Sequence, residues 1–280
     1  MKTIYTTAEL QTWREEQRLS GIELGFVPTM GALHQGHMSL VEMSVAENGM
    51  TACSIFVNPI QFNNPEDLKR YPRMPEKDLK MLESAGCDMV FLPSVEEMYP
   101  EPVARVYDFG HLDKVMEGAF RPGHFNGVAV VVHRLFELVD PDRAYFGLKD
   151  YQQLMIIREM VKQEGHRVEV TGCPIIREAD GLAMSSRNLR LTPEQRAVAP
   201  EIHAALQYAA GNYQKHGTEE LKTLLNSKLA AIPGARPEYV EMADAETLLP
   251  VSHWEANRSC ILCVAVYLGD IRLIDNIILY

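Results

Sequence analysis

From about Ile22 to Cys173 the chain alternates short apolar runs with longer amphipathic stretches, and this rhythm restricts the fold more than any other property. The runs read "IELGFV", "TACSIFV", "DMVFLP", "RAYFG" and "RVEVTGC"; between them stand "HMSLVEMSVAENG", "EKDLKMLESAG", "FNGVAVVVHRLFELV" and "YQQLMIIREMVKQEG". Such alternation predicts parallel strands joined by crossover helices, an α/β fold built on a doubly wound parallel sheet. Gly49, Gly86 and Gly165 each stand just past a helical stretch, where a left-handed cap is expected.

After "IIREADGLAMSSRN" the grammar changes to two helices followed by antiparallel strands. "TPEQ" at Thr192 supplies an N-cap, a proline at the first helical position and a glutamine that closes a capping box. "VAVYLGDIRLI" reads as a hairpin turning at Gly269 and Asp270. Two domains are therefore expected, residues 1–175 and a smaller α+β domain over 176–280, with the crossing between about 174 and 188. The crossing loop is expected over the first domain's carboxyl edge.

A formal charge of -11, with basic residues scattered singly, argues against a nucleic-acid or membrane surface, so an anionic ligand has to be held by a local site. "MKTIYTTAEL" lacks the apolar core of a signal peptide and "GVAVVV" is too short to span a bilayer, which makes a cytoplasmic location the expectation. Five cysteines, at 53, 87, 173, 260 and 263, suit reduced thiols better than a disulfide framework. Cys260 and Cys263 form a CxxC, but "CILCVAVYL" reads as a strand that points them to opposite faces, and no second pair completes a zinc site.

The ligand edge of a doubly wound sheet lies at the carboxyl ends of its strands, where the following helices present N–H groups and a positive dipole. "PTMGALHQGH", Pro28 to His37, occupies such a junction. Gly31 and Gly36 have P-loop spacing, yet His37 stands in place of the lysine and Met38 in place of the hydroxyl that holds magnesium. Three readings of His34 and His37 stay open on this stretch alone. They can cap the helix start, they can ligate a metal from one helix face, or they can donate to phosphate oxygens that small glycines let approach.

Other junctions favour the third reading. "FVNPIQF" follows the second strand and offers Asn58 and Gln61, whose amides suit a hydroxylated substrate. "FGLKDYQQL" supplies Lys149, Asp150 and Gln153; a lysine neutralises phosphate charge and an aspartate accepts from ribose hydroxyls. "MSSRN" brings two hydroxyls and Arg187 in the crossing loop, and "RPGHF" brings Arg121 and His124 just before a helix.

In this order, "PTMGALHQGH", "FVNPIQF", "FRPGHFNGV", "FGLKDYQQL" and "MSSRN" resemble the pantoate-beta-alanine ligase family, from about residue 20 to 190 with a weaker match to the end. The resemblance implies a Rossmann-like amino-terminal domain of the HxGH nucleotidyltransferase superfamily, a smaller carboxyl-terminal lid domain and a homodimer. It also implies the reaction: ATP and pantoate give pantoyl adenylate and pyrophosphate, and beta-alanine then displaces AMP to give pantothenate. Mg2+ accompanies ATP as co-substrate, with no tightly bound cofactor and no metal ligated by the protein.

Carried over residue by residue, ATP falls on Met30, Gly31, Ala32, Leu33, His34, Gln35, Gly36 and His37, on Gly147, Leu148, Lys149 and Asp150, on Ile176, and on Met184, Ser185, Ser186 and Arg187. Pantoate falls on Gln61 and Gln153, with beta-alanine also near Gln61, while Asn58, Arg121 and His124 match further pocket positions. His37 matches the residue assigned as proton donor and His34 its partner on the phosphates, with Lys149 and Arg187 as further cationic donors. Leu148 stands where some family members carry Glu or Gln, so only its backbone is expected to contribute. The alternatives are an HxGH nucleotidyltransferase that retains the nucleotide in its product, a non-catalytic nucleotide sensor and, weakest, a zinc hydrolase.

Overall fold

The computed structural model describes every residue except 64 and 256. By its internal contacts the chain divides into two compact units, Met1–Leu148 with Gln152–Pro174, and Lys149–Tyr151 with Ile175–Tyr280. In chain order the first part runs β1 (Lys2–Ile4), α1 (Thr7–Ser20), β2 (Leu24–Thr29), α2 (Gln35–Glu47), β3 (Met50–Ile55), α3 (Pro65–Arg70), α4 (Pro75–Ser84), β4 (Met89–Phe91), α5 (Val95–Met98), α6 (Met116–Phe120), α7 (His124–Val139), β5 (Arg143–Gly147), α8 (Tyr151–Glu164) and β6 (Glu169–Cys173). It continues with α9 (Pro193–Val198), α10 (Glu201–Asn212), α11 (Thr218–Ala230), β7 (Ala235–Asp244), β8 (Cys260–Leu268) and β9 (Ile271–Leu279).

The first unit is the expected parallel sheet, six strands in the order β1-β4-β3-β2-β5-β6. Alternation along each strand divides its side chains between two cores: Phe26 and Phe91 join α1, α7 and α8 on one face, while Val27 and Val90 join α2 and α4 on the other. Full burial of side chains of this size stabilises by about 1.5–3 kcal/mol each, which is what holds the helices to the sheet. Chain order reverses between β2 and β5, and in open α/β sheets the carboxyl edge at such a reversal is where ligands bind.

β1 and α1 precede the stretch in which the alternation is readable. Three residues of β1 pair with β4 at the sheet edge, and α1 begins with a capping box between Thr6 and Glu9. Gly86 and Gly165 have the left-handed conformation expected of them, at φ 83° and 66°. Gly49 does not, and that expectation is corrected: α2 stops at Glu47, Asn48 is extended, and a Cβ on Gly49 would stand 2.5 Å from Ile22. Close approach, rather than a helix cap, explains that glycine.

In the second unit α10 and α11 pack on the antiparallel sheet β7-β8-β9, and the short α9 starts with the Thr192 and Gln195 capping box. The β8–β9 hairpin turns at Gly269 and Asp270, with Leu268 opposite Ile271. All five cysteines are free and buried, Cys260 and Cys263 among them. Burial holds the Cys87 thiol up at about 12 and Cys173 at about 11, so both stay protonated and unreactive near neutrality. Among the described residues no helix is long and apolar enough to cross a membrane.

Candidate active site

The turn after β2 is built before the helix starts. Thr29 donates its hydroxyl to the Ser54 carbonyl at 2.7 Å and accepts the Gly31 N–H at 3.2 Å. Gly31 and Ala32 then take left-handed conformations, φ 79° and 49°. From α4 the carboxylate of Asp78 reaches both following amides, Oδ2 accepting from Ala32 and Oδ1 from Leu33, each at 2.8 Å. This charged side chain is only 1% exposed.

The two histidines cap α2 reciprocally. His34 Nδ1 accepts the Gly36 N–H at 3.1 Å, and His37 Nδ1 accepts the His34 N–H at 3.3 Å. Here the imidazoles take the places that Ser or Thr and Glu hold in an ordinary capping box. An Nδ1 that accepts cannot carry the proton of a neutral imidazole, so both rings have the tautomer with hydrogen on Nε2. The rings lie 4.0 Å apart between centroids, and both are half-buried. Capping and donation are thus compatible: one nitrogen of each ring holds the helix and the other is a donor. Gln35 between them is exposed and turns to Glu42.

Amides in this turn are largely committed. Gly31, Ala32, Leu33, His34 and Gly36 all donate to protein side chains, and His37 N–H returns to the His34 carbonyl. A P-loop leaves its amides open to phosphate; this turn commits them to its own side chains. Ala32 and Leu33 are buried and Met30 is half-buried.

A second cluster surrounds Gln61, in the 3-10 turn Pro59–Gln61 after β3. Asn58, 1% exposed, donates to Gln61 Oε1 at 3.2 Å and to the Gly127 carbonyl at 3.0 Å, and accepts from Tyr99 at 3.0 Å and the Ile60 N–H at 3.3 Å. Burial keeps the Tyr99 hydroxyl well above its ordinary pKa, so it remains a donor. His124, 6% exposed, sets Nδ1 2.9 Å from the Gln61 carbonyl. Asn58 and His124 therefore brace the turn from below, whereas Gln61 Nε2 is directed to the thioether of Met30 at 3.2 Å, beside the histidine turn. α7 lies so close here that a Cβ at Gly127 would meet Gln61 Cα at 2.7 Å.

Arg121, just before the left-handed Gly123 that opens α7, is 3.6 Å from Glu117. Gly147 ends β5, Leu148 packs against the main core, and Gln153 is half-buried in the first turn of α8. Its neighbour Gln152, which the sequence left unremarked, is buried and joins Glu117 N–H to the Leu112 and Val115 carbonyls.

The remaining predicted residues belong to the second unit. Lys149 lies 3.9 Å from Asp150, and its carbonyl accepts from Asn276 at 2.9 Å. Met184 N–H bonds the Ile176 carbonyl at 3.0 Å, which closes a loop held at its base by the Arg177–Asp275 pair, 2.7 and 3.0 Å. Ser185 caps the following 3-10 turn by accepting the Arg187 N–H, Ser186 is buried, and Arg187 is half-buried. Among the described residues no group of three or more His, Cys, Asp or Glu could hold a metal ion.

Asp78, Gln152, Tyr99 and Gly127 escaped the sequence reading. For Asp78 a signal existed: it precedes Leu82 by four residues, and so lies on the apolar face of its helix, where a carboxylate requires partners.

A family model described as pantoate-beta-alanine ligase matches residues 2–278. The pantothenate synthetase of Bacteroides thetaiotaomicron is 50% identical over 277 residues, covering 99% of this chain and 98% of that protein. That of Porphyromonas gingivalis is 48% identical over 277 residues, with 99% of each covered. The crystal structure of pantothenate synthetase from Thermus thermophilus superposes with a TM-score of 0.91 at 48% identity over 99% of both chains. Pantoate-beta-alanine ligase from Francisella tularensis, solved with beta-gamma ATP and beta-alanine, gives 0.82 at 35% identity over 99% of this chain and 97% of that one. With the model matched from residue 2 to 278 and relatives at half identity across nearly their whole lengths, the chain belongs to the pantoate-beta-alanine ligase family.

Proposed function

We propose that the ligation of pantoate to beta-alanine, the reaction of this family, runs here through a pantoyl adenylate formed beside His34 and His37. The observation that carries this reading is the commitment of both Nδ1 atoms to the cap of α2, which puts the ring proton on Nε2 and so sets two donors in advance. Pantoate's carboxylate attacks the α-phosphorus of ATP and pyrophosphate departs, so negative charge grows on phosphate oxygens. Donors fixed beforehand stabilise that charge without reorganising. Lys149 and Arg187, which the resemblance assigns to ATP, carry full positive charge. Gln61, braced by Asn58 and His124, takes pantoate together with Gln153, and beta-alanine enters near Gln61.

In the second half-reaction the neutral amine of beta-alanine attacks the acyl carbon, an amide bond forms as the nitrogen gives up one proton to the surroundings, and AMP leaves with the electron pair of the mixed anhydride. No protein nucleophile is needed. The Francisella relative solved with a nucleotide and beta-alanine supports this set of ligands. Mg2+ as the companion of ATP, a homodimer and a cytoplasmic location are proposed with it, on the resemblance and the net charge of -11.

The test is pyrophosphate release from ATP and Mg2+ with pantoate alone, beta-alanine alone, and both, while AMP and pantothenate are followed. Release that requires pantoate, with AMP and pantothenate appearing once beta-alanine is added, is the expected result. Nucleotide retained in the product would point instead to another HxGH nucleotidyltransferase reaction, and binding of ATP without pyrophosphate release to a sensor. Sedimentation reads the dimer.

A further inference from the structure

We propose that Asp78 is a positioning residue for the phosphate-binding histidines, a carboxylate that sets the turn between β2 and α2 and thereby aims His34 and His37. The proposal rests on the reading of those histidines as phosphate donors. Asp78 contributes no atom to that contact; it acts through backbone.

Five observations support this role. Burying a carboxylate is costly unless its oxygens are satisfied, and the two oxygens of Asp78 accept separate amides at 2.8 Å each. It also lies in the first turn of α4, where the helix dipole favours negative charge. The amides it holds belong to Ala32 and Leu33, immediately before His34. Ala32 is left-handed at φ 49°, a conformation that costs an L-residue about 1–2 kcal/mol and so needs an external hold. A Cβ added at the preceding Gly31 would stand 3.1 Å from Asp78 Oδ2, so carboxylate and turn are in direct contact along three successive residues.

Two consequences follow for the ligand. With the amides of Ala32 and Leu33 committed to Asp78, phosphate recognition passes to the Nε2–H groups. And because the His34 N–H is the donor to His37 Nδ1, a shift of residues 32–33 is passed to both rings through one peptide unit.

The experiment uses Asp78→Asn, which keeps shape while turning one oxygen into an amide donor that faces a backbone N–H. Thermal unfolding and circular dichroism establish the folded fraction. Calorimetric affinity for α,β-methylene-ATP is then measured beside kcat and the KM values for ATP and pantoate. The expected result is folded protein with affinity for the analogue weakened roughly 10-fold or more, kcat lowered about 10- to 100-fold, and pantoate KM within about twofold of the parent. Hydrogen exchange across residues 32–37 should quicken.

A folded variant with unchanged analogue affinity and unchanged kcat would make Asp78 a stability residue only, and overturn the proposal. Equal losses toward ATP and pantoate would overturn it too. If Asp78→Asn does not accumulate, Asp78→Glu keeps the charge and moves it by one methylene, and the same readouts apply. If the parent protein binds the analogue but releases no pyrophosphate, the adenylate reading fails, while the affinity ratio between variant and parent still tests the clamp.

Discussion

Replacing Gly127 by alanine tests whether α7 positions the substrate turn. On an exposed helix this change stabilises by about 1 kcal/mol, because alanine is the better helix former. Here the new Cβ would stand 2.7 Å from Gln61 Cα, 2.8 Å from its nitrogen and 2.9 Å from the Ile60 carbonyl carbon. These are backbone atoms and cannot turn aside as a side chain can. Ordinary contact begins at 3.4 Å, so the turn has to retreat by about 0.7 Å. Overpacking of this kind costs about 1–3 kcal/mol, and after the helix gain a net loss of about 0–2 kcal/mol remains. The larger effect is on geometry. Retreat stretches the Asn58 bond to the Gly127 carbonyl and the His124 bond to Gln61, and displacements near 1 Å cost about 100-fold in rate. Pyrophosphate release at saturating ATP with varied pantoate should therefore show kcat/KM for pantoate lowered about 10- to 100-fold, while nucleotide affinity holds. A folded Gly127→Ala protein with parental pantoate kinetics would refute the reasoning, because it would show that the turn is not set by this contact.

Three further outcomes are expected. His37→Ala removes an Nε2 donor and a cap acceptor together, so adenylate formation should fall about 100-fold or more with helix stability down by about 1 kcal/mol; near-normal pyrophosphate release would remove His37 from the chemistry. Gln61→Ala should raise the pantoate requirement and leave ATP affinity intact, and unchanged pantoate kinetics would take Gln61 out of that pocket. In the second unit Asp244 titrates at about 2: burial opposes its charge, but hydrogen bonds from Thr247 and Arg258 prevail. A carboxylate depressed from 3.8 to about 2 adds roughly 2 kcal/mol, present above pH 4 and lost as pH falls toward 2. Urea unfolding of Asp244→Asn should show that deficit at pH 7 and a smaller one at pH 3; a deficit that does not change with pH would contradict the assignment.

The strands of the first unit were legible because each is a short apolar run bounded by a helix end, and β1 was not because three edge residues carry no period. α1 carries a capping-box signal, Thr6 three residues before Glu9. At the site, residue types told which chemistry was in reach but not which atom does what. Histidine offers two nitrogens, and nothing in "HQGH" says that Nδ1 is the one that caps. Asn58 and His124 match pocket positions of the resemblance, and the structure adds that both bond the Gln61 turn. Those bonds depend on α7 and Tyr99, which meet the turn from distant parts of the chain. Gly49 misled because glycine after a helix serves close approach as readily as a left-handed cap.

Lys149–Tyr151 cluster with the second unit although the residues on either side belong to the first. The Tyr151 hydroxyl donates to the Ala245 carbonyl, and Asn276 donates to the Lys149 carbonyl. The second unit is therefore not a single cassette. A gene fragment beginning at Ile175 would encode a sheet that lacks two of its tethers, and a chimera exchanged at Pro174 would pair one parent's tripeptide with the other's hairpin. Recombination between relatives has to carry both segments at once, or accept a mismatch at Ala245 and Asn276, and on the ribosome the tripeptide waits for 94 residues of chain before its first partner exists and 127 before its second.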